Sequence, residues 1–202
     1  MRRFVEADLL QYAINANDKG ARGPMVVCID GSGSMAGDKE LWAKAVCLTL
    51  METARRQRRH FRAIVFSGGQ RDLKTFDLLK MPARGRLEAP PIDVADLVDF
   101  ADYFPRGGTD FQGPLDAALE VLEEKKLRRG DVVFITDGEA HVDPGWLAGF
   151  MSAKRRLEFK IYGVMVDMGK PSRTDVVARF ADEITSVARL SAQSAGEIFL
   201  KL

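Results

Sequence analysis

The chain has 202 residues, enough for one domain with a short extension. With 46% hydrophobic and 29% charged residues it has a globular balance, which excludes a long disordered tract. Its formal net charge of +1 excludes a global field that would recruit nucleic acid or an anionic membrane.

Residues 1–24 are polar and end in NDKGARGP, and residues 1–23 read as a leader before a domain at 24–202. The opening MRRFVEADLL has charges inside its apolar stretch and no cleavage signal, so it does not read as a secretory peptide. MVVCID (25–30) is a continuous apolar run, the pattern of a strand buried on both faces. The segment 39–58 is helical in period, with Leu41, Trp42, Ala45, Val46, Thr49 and Leu50 on the expected inner face. FRAIVF (61–66) is a second buried strand, and LKTFDLL (73–79) alternates like an edge strand. The proline-rich stretch 80–91 is a loop. A helix is expected at 93–104, packing through Val94, Leu97, Val98 and Ala101.

After the loop PRGGTDFQG (105–113), Pro114 is expected to open a helix whose inner face is Leu115, Ala118, Leu119 and Leu122. DVVFITDGE (131–139) is a buried strand with an acidic exit, followed by a helix at 144–157 and a strand at 159–166. A short helix (174–181), a weaker strand (183–188) and a closing helix (194–202) complete the chain. Strands alternating with helices predict an α/β fold, a doubly wound, mostly parallel sheet with helices on both faces. The two cysteines, Cys28 and Cys47, sit in apolar patterns, and together with the absence of a bilayer-length apolar run they point to a cytoplasmic protein.

In such a sheet, ligands gather beyond the carboxyl ends of the strands, where the strand order reverses. Three oxygen-bearing loops fall there: Asp30, Ser32 and Ser34 in DGSGS, Thr109 and Asp110 in GGTD, and Thr136, Asp137 and Glu139 in ITDGE. If the strands at 25–30 and 131–136 are neighbours, the first and third loops face each other. Hydroxyls and carboxylates are hard oxygen donors, suited to Mg²⁺ or Mn²⁺, whereas Ca²⁺ would want more carboxylates. Ser32, Ser34 and Thr109 are expected to bind directly, and Asp30 and Asp137 mainly through water. Such a site leaves the ion under-neutralised and open to an incoming carboxylate.

Hydrolase motifs do not fit. No G-x-S-x-G can be centred on Ser32 or Ser34, and Asp38 stands where a P-loop needs its lysine. A metal-dependent phosphohydrolase remains the alternative to a binding module, but the loops show an electrophile's site without an evident nucleophile or base. Met35, Tyr103, Phe104, Asp110, Glu139 and His141 flank the loops and are expected to form a rim for a partner. Basic clusters at 55–62, 125–129 and 154–156 end helices just before strands. They are therefore expected at the opposite edge, where they complement helix dipoles by about 0.3–1 kcal/mol each.

Asp30-x-Ser32-x-Ser34, Thr109 in GGTD and Asp137 in TDG together resemble the metal-ion-dependent adhesion site of von Willebrand factor A domains. The likeness implies a Rossmann-like sheet with one short antiparallel edge strand and a metal-mediated protein interaction. GPMVVCIDGSGSM and FITDGE also resemble bacterial CoxE-like and ViaA-like proteins. That resemblance implies a MoxR-class AAA+ ATPase as partner.

Overall fold

The computed structural model describes residues 23–79, 89–124, 129–138, 140–167 and 174–191, together with Ser194 and Ile198. Strands β1 (Met25–Asp30), β2 (Phe61–Phe66), β3 (Lys74–Phe76), β4 (Asp131–Thr136), β5 (Lys160–Val166) and β6 (Glu183–Val187) form one sheet in the order β3-β2-β1-β4-β5-β6. Every pairing is parallel except that of β3 with β2. The expected edge strand is present and antiparallel, though only three residues of it pair.

Apolar side chains of the central strands alternate between two cores, as the pleat requires. Met25, Val27 and Ile29 face one side with Ala63, Val65, Val133 and Ile135. Helices α1 (Asp38–Arg56) and α2 (Val94–Asp102) cover that side. Val26 and Cys28 face the other side with Ile64, Phe66 and Phe134, under α3 (Gln112–Glu124) and α4 (Pro144–Leu157). Both thiols are free and buried, and burial pushes them well above the usual range. On the second side Phe66, Phe111, Phe134 and Phe180 form a connected set, with centroids 5.1–6.4 Å apart. Stacked and edge-to-face pairs of this kind add to what burial alone contributes.

The caps match the chemistry of the helix ends. Asp93 accepts N–H bonds at the start of α2, and Asp143 does so for α4, where Pro144 takes the first position. Helix α3 begins at Gln112, two residues earlier than expected, and Pro114 falls within its first turn, where its missing N–H leaves no bond unmade.

Two helical faces differ from the sequence pattern. In α1 the buried stripe is Ala43, Val46, Cys47, Leu50, Met51 and Ala54, while Leu41 is 66% exposed and Ala45 and Thr49 face solvent. In α2 Phe100 is the buried residue, whereas Val94 and Val98 are 68% and 54% exposed. The large ring wins the inward position because it packs on Phe76 at 5.5 Å. The segment 174–181 makes only a single 3₁₀ turn, Val177–Arg179. Its turn lies against β5, where a Cβ on Gly163 would come within 2.7 Å of Val177. The closing segment is helical at Ser194 and Ile198, and residues 1–22, 80–88 and 125–128 lie outside the described residues.

The described parts of the basic clusters lie at the amino ends of the strands, and side chains of the fold absorb much of their charge. Arg59 is buried and reaches Gly23 O and Asp131, while Lys154 holds Phe180 O and Asp182 at 2.8 and 2.7 Å. Arg156 pairs with Glu123, and Arg55 and Arg56 share Glu52.

The aromatic set sits at the centre of the second core, so Phe134→Ala is expected to lower stability by about 3–5 kcal/mol. Urea unfolding measures this, and a loss below about 1 kcal/mol would mean that the rings do not share one core.

Candidate functional site

Strand β1 pairs with β2 on one side and β4 on the other, so the strand order reverses beside its carboxyl end. Asp30 is the last residue of β1, and Thr136 the last of β4. The first and third oxygen-bearing loops therefore leave the sheet side by side.

The Asp30 carboxylate is fully buried. One oxygen accepts the Ser32 N–H at 2.8 Å, and the other accepts the Thr136 hydroxyl at 2.5 Å. Burial raises the Asp30 carboxyl above its ordinary range, the two hydrogen bonds work against that rise, and the nearby Asp137 charge adds to it. The Ser32 and Ser34 hydroxyls are 3.1 Å apart, and Ser34 donates to Asp137 at 2.8 Å. The Asp137 side chain is only 4% exposed, and its other oxygen is held by the Lys39 ammonium from the first turn of α1.

The GGTD loop is fastened to the first loop through the backbone. Arg106 N–H donates to Gly31 O at 2.9 Å, and Gly33 N–H donates to Gly107 O at 3.1 Å. Ser67, just past β2, accepts the Asp110 N–H at 3.0 Å. This close approach needs glycines. A Cβ on Gly107 would lie 2.4 Å from Ser67 Oγ, and one on Gly68 would lie 2.9 Å from the Gly108 backbone. The result brings Thr109 to the other loops. A Cβ on Gly138 would sit 3.7 Å from Thr109 Oγ1, 3.9 Å from Thr136 Oγ1 and 4.0 Å from Asp30 Oδ2, so these oxygens surround one point.

All five expected ligand residues, Asp30, Ser32, Ser34, Thr109 and Asp137, thus lie at the same edge. The donor set is two carboxylates and three hydroxyls, which fits a small hard cation that keeps part of its water. Among the described residues no group of three or more His, Cys, Asp or Glu gathers, so neither a carboxylate cage nor a histidine site is present there. Thr136 was named among the oxygens of ITDGE but not as a ligand, and its part is to hold Asp30. Lys39 was not singled out from sequence, where it reads as an ordinary helix-surface lysine.

The expected rim changes more. Met35 is completely buried in the first core, because the 3₁₀ turn Gly33–Met35 folds it inward, so it is not a rim residue. Tyr103 is half-buried, and its hydroxyl donates to Asp72 O at 3.0 Å, which braces the end of α2. Asp110 accepts the N–H groups of Gln112 and Gly113 at 3.0 and 3.1 Å, so its carboxylate caps α3. Phe104 is half-buried between Lys44 and Arg106, at 5.8 and 6.0 Å from its ring. His141 is exposed on the loop after β4, and Glu139 lies outside the described residues.

The Thr136 hydroxyl serves both Asp30 and the Gly138 N–H, which it accepts at 3.1 Å. Thr136→Val keeps the shape but leaves a buried carboxylate oxygen short of its donor, and is expected to cost about 1–3 kcal/mol. An unchanged urea midpoint would show that Asp30 does not depend on this hydroxyl.

Comparison with known proteins agrees with this geometry. The family profile for the von Willebrand factor type A domain matches residues 25–139. Two uncharacterized proteins of the archaeon Methanocaldococcus jannaschii, MJ0077 and MJ0811, are 33% and 31% identical to the chain over 98% of its length. The chain spans 46% and 42% of those relatives, less than half of each. Among solved structures, a von Willebrand factor type A protein from Catenulispora acidiphila superposes with a TM-score of 0.62 at 16% identity, over 89% of this chain and 42% of that one. The SpRpn10 VWA domain does so with a TM-score of 0.62 at 14% identity, over 90% of this chain and 95% of that one. BatB from Bacteroides thetaiotaomicron matches at 0.62 and 16%, over 89% and 96%. At these identities the solved structures show the shared fold, a six-stranded, mostly parallel sheet with one antiparallel edge strand and helices on both faces. Domains of this family generally mediate protein–protein interactions and are mostly not enzymes, and they commonly bind a divalent metal. Sequence and fold together place the chain in the von Willebrand factor type A domain family.

Proposed function

We propose that this chain is a divalent-metal-dependent protein-binding module whose recognition edge is the adhesion site formed by Asp30, Ser32, Ser34, Thr109 and Asp137. The observation that carries the proposal is the convergence of three separate loops on one cluster of hard oxygens at the strand-order reversal. Ser32, Ser34 and Thr109 would offer hydroxyls to Mg²⁺ or Mn²⁺, with Asp30 and Asp137 behind them. When bound, the ion supplies an electrophilic point that a partner's Asp or Glu can meet. The chain's own part is to hold the hydroxyls in place. Asp30 fixes the Ser32 backbone, and Asp137 fixes Ser34.

Among the described rim residues Phe104 and His141 are left to meet a partner, and Glu139 stays in the proposal with them. The resemblance to CoxE-like and ViaA-like proteins supports a MoxR-class AAA+ ATPase as that partner, acting in the cytoplasm. No helix among the described residues is long and apolar enough to cross a membrane. The phosphohydrolase alternative gains no support from the site, where the Asp30 and Asp137 carboxylates are already engaged by hydrogen bonds among the described residues.

Ser34 is exposed, so Ser34→Ala removes a hydroxyl without opening the core. Calorimetric titration with Mn²⁺ is expected to show binding to the natural chain and a loss of about tenfold or more in the variant. Equal binding would remove Ser34 from the site. Far-UV circular dichroism is expected to be the same with and without EDTA, because the loops stand above cores that are complete without the ion. Capture of a partner from the source cell is expected to fail in EDTA and with Thr109→Ala, and capture insensitive to both would place the interface elsewhere.

A further inference from the structure

The Lys39 ammonium stands where a second positive charge would be unwelcome. It lies in the first turn of α1, whose N-terminus carries the positive end of the helix dipole, so a lysine there is disfavoured. The N-cap residue Gly37 offers no side-chain acceptor, and Asp38 and Glu40 flank Lys39 in the same turn. What holds the lysine is Asp137, 4% exposed, against a lysine side chain 21% exposed. Each oxygen of Asp137 then has a partner, Lys39 on one and Ser34 on the other.

Asp30 and Asp137 bring two carboxylates into one largely buried pocket, and a nearby cation favours the ionised form of such a pair. We infer that Lys39 is a tethered counter-cation that keeps the recognition edge folded in the metal-free protein and competes with the divalent ion for it. This rests on the metal-site reading proposed above. An ion held by Ser34 would lie beside the oxygen cluster that Asp137 shares with the ammonium, and like charges at that range repel strongly in a partly dry site. Lys39 is partly exposed on a flexible stem, so it can swing into solvent when the ion arrives. The free chain then holds metal weakly, because each binding event must first break the Lys39–Asp137 pair. A partner carboxylate that closes the ion's shell shifts the balance toward the metal-bound, lysine-out state.

The test is a Mn²⁺ titration, read by calorimetry and by the electron paramagnetic resonance of free Mn²⁺, on the natural chain, Lys39→Met and Lys39→Arg. Lys39→Met keeps the length of the side chain and removes its charge, and is expected to bind Mn²⁺ about tenfold more tightly, equivalent to about 1.4 kcal/mol. Lys39→Arg keeps the charge and is expected to bind like the natural chain. Without metal, Lys39→Met is expected to melt about 2–4 °C lower, since Asp137 loses its counter-ion. The ammonium resonance of Lys39 is expected to change on adding Mg²⁺ to the natural chain. Equal or weaker Mn²⁺ binding by Lys39→Met would overturn the competition while leaving the metal site intact. Absence of Mn²⁺ binding in all three proteins would instead remove the metal-site reading, and the competition with it.

Discussion

The constraint on which the recognition edge depends is the burial of a carboxylate at the end of the central strand. Asp30 has no exposed surface, and its neighbours on both sides are apolar strands. An ionised carboxylate in that position is tolerable only where donors surround it. The Thr136 hydroxyl and the Ser32 amide supply two, and each also fixes a loop. Thr136 ties β4 to β1 at their exits, and the Ser32 bond turns the chain tightly enough for Ser32 and Ser34 to lie side by side. The order of the site follows from satisfying one charge.

A second consequence is that the loops must touch, and the glycines are what allow it. Gly31 lies so close to Pro105 that a Cβ would meet its ring at 2.8 Å, and Gly107 and Gly68 are equally confined. Side chains at these points would force the GGTD loop outward and carry Thr109 away from Asp30. The charge arrangement has the same local logic. At the amino edge of the sheet, buried and half-buried cations find partners within the fold, such as Arg59 with Asp131. At the carboxyl edge, two carboxylates and one lysine share a pocket.

The strands were legible because a sheet covered on both faces makes each strand a continuous apolar run, and MVVCID, FRAIVF and DVVFIT are such runs. The five oxygen-bearing residues were legible because their spacing places each at a strand exit or in the loop beside it. The helical faces were harder. Periodicity shows that a stripe exists, but Leu41, Val94 and Val98 are apolar residues at a stripe's margin, and only the packing of Phe100 on Phe76 and of Cys47 and Met51 within the core decides which face turns inward. Met35 follows the serines in sequence and was expected beside them in space, yet the 3₁₀ turn sends it into the core. Lys39 left no signal in sequence, and Thr136 showed only as an oxygen of ITDGE, because their roles arise from Asp137 and Asp30, roughly a hundred residues away in each case.

The separation between the cores and the edge has a functional meaning. The aromatic set and the aliphatic stripe of α1 lie beneath the loops and contain none of the five candidate ligands. Stability therefore resides in one layer and the candidate site in another. A site whose ligands also nucleated the fold, as structural zinc does, could not exchange its ion without unfolding. Here the candidate ligands are tied by hydrogen bonds among themselves and by backbone bonds between loops. On the proposed reading the edge exchanges lysine for metal over an unchanged sheet, and binding energy from a partner would be directed at that local exchange without drawing on the stability of the fold.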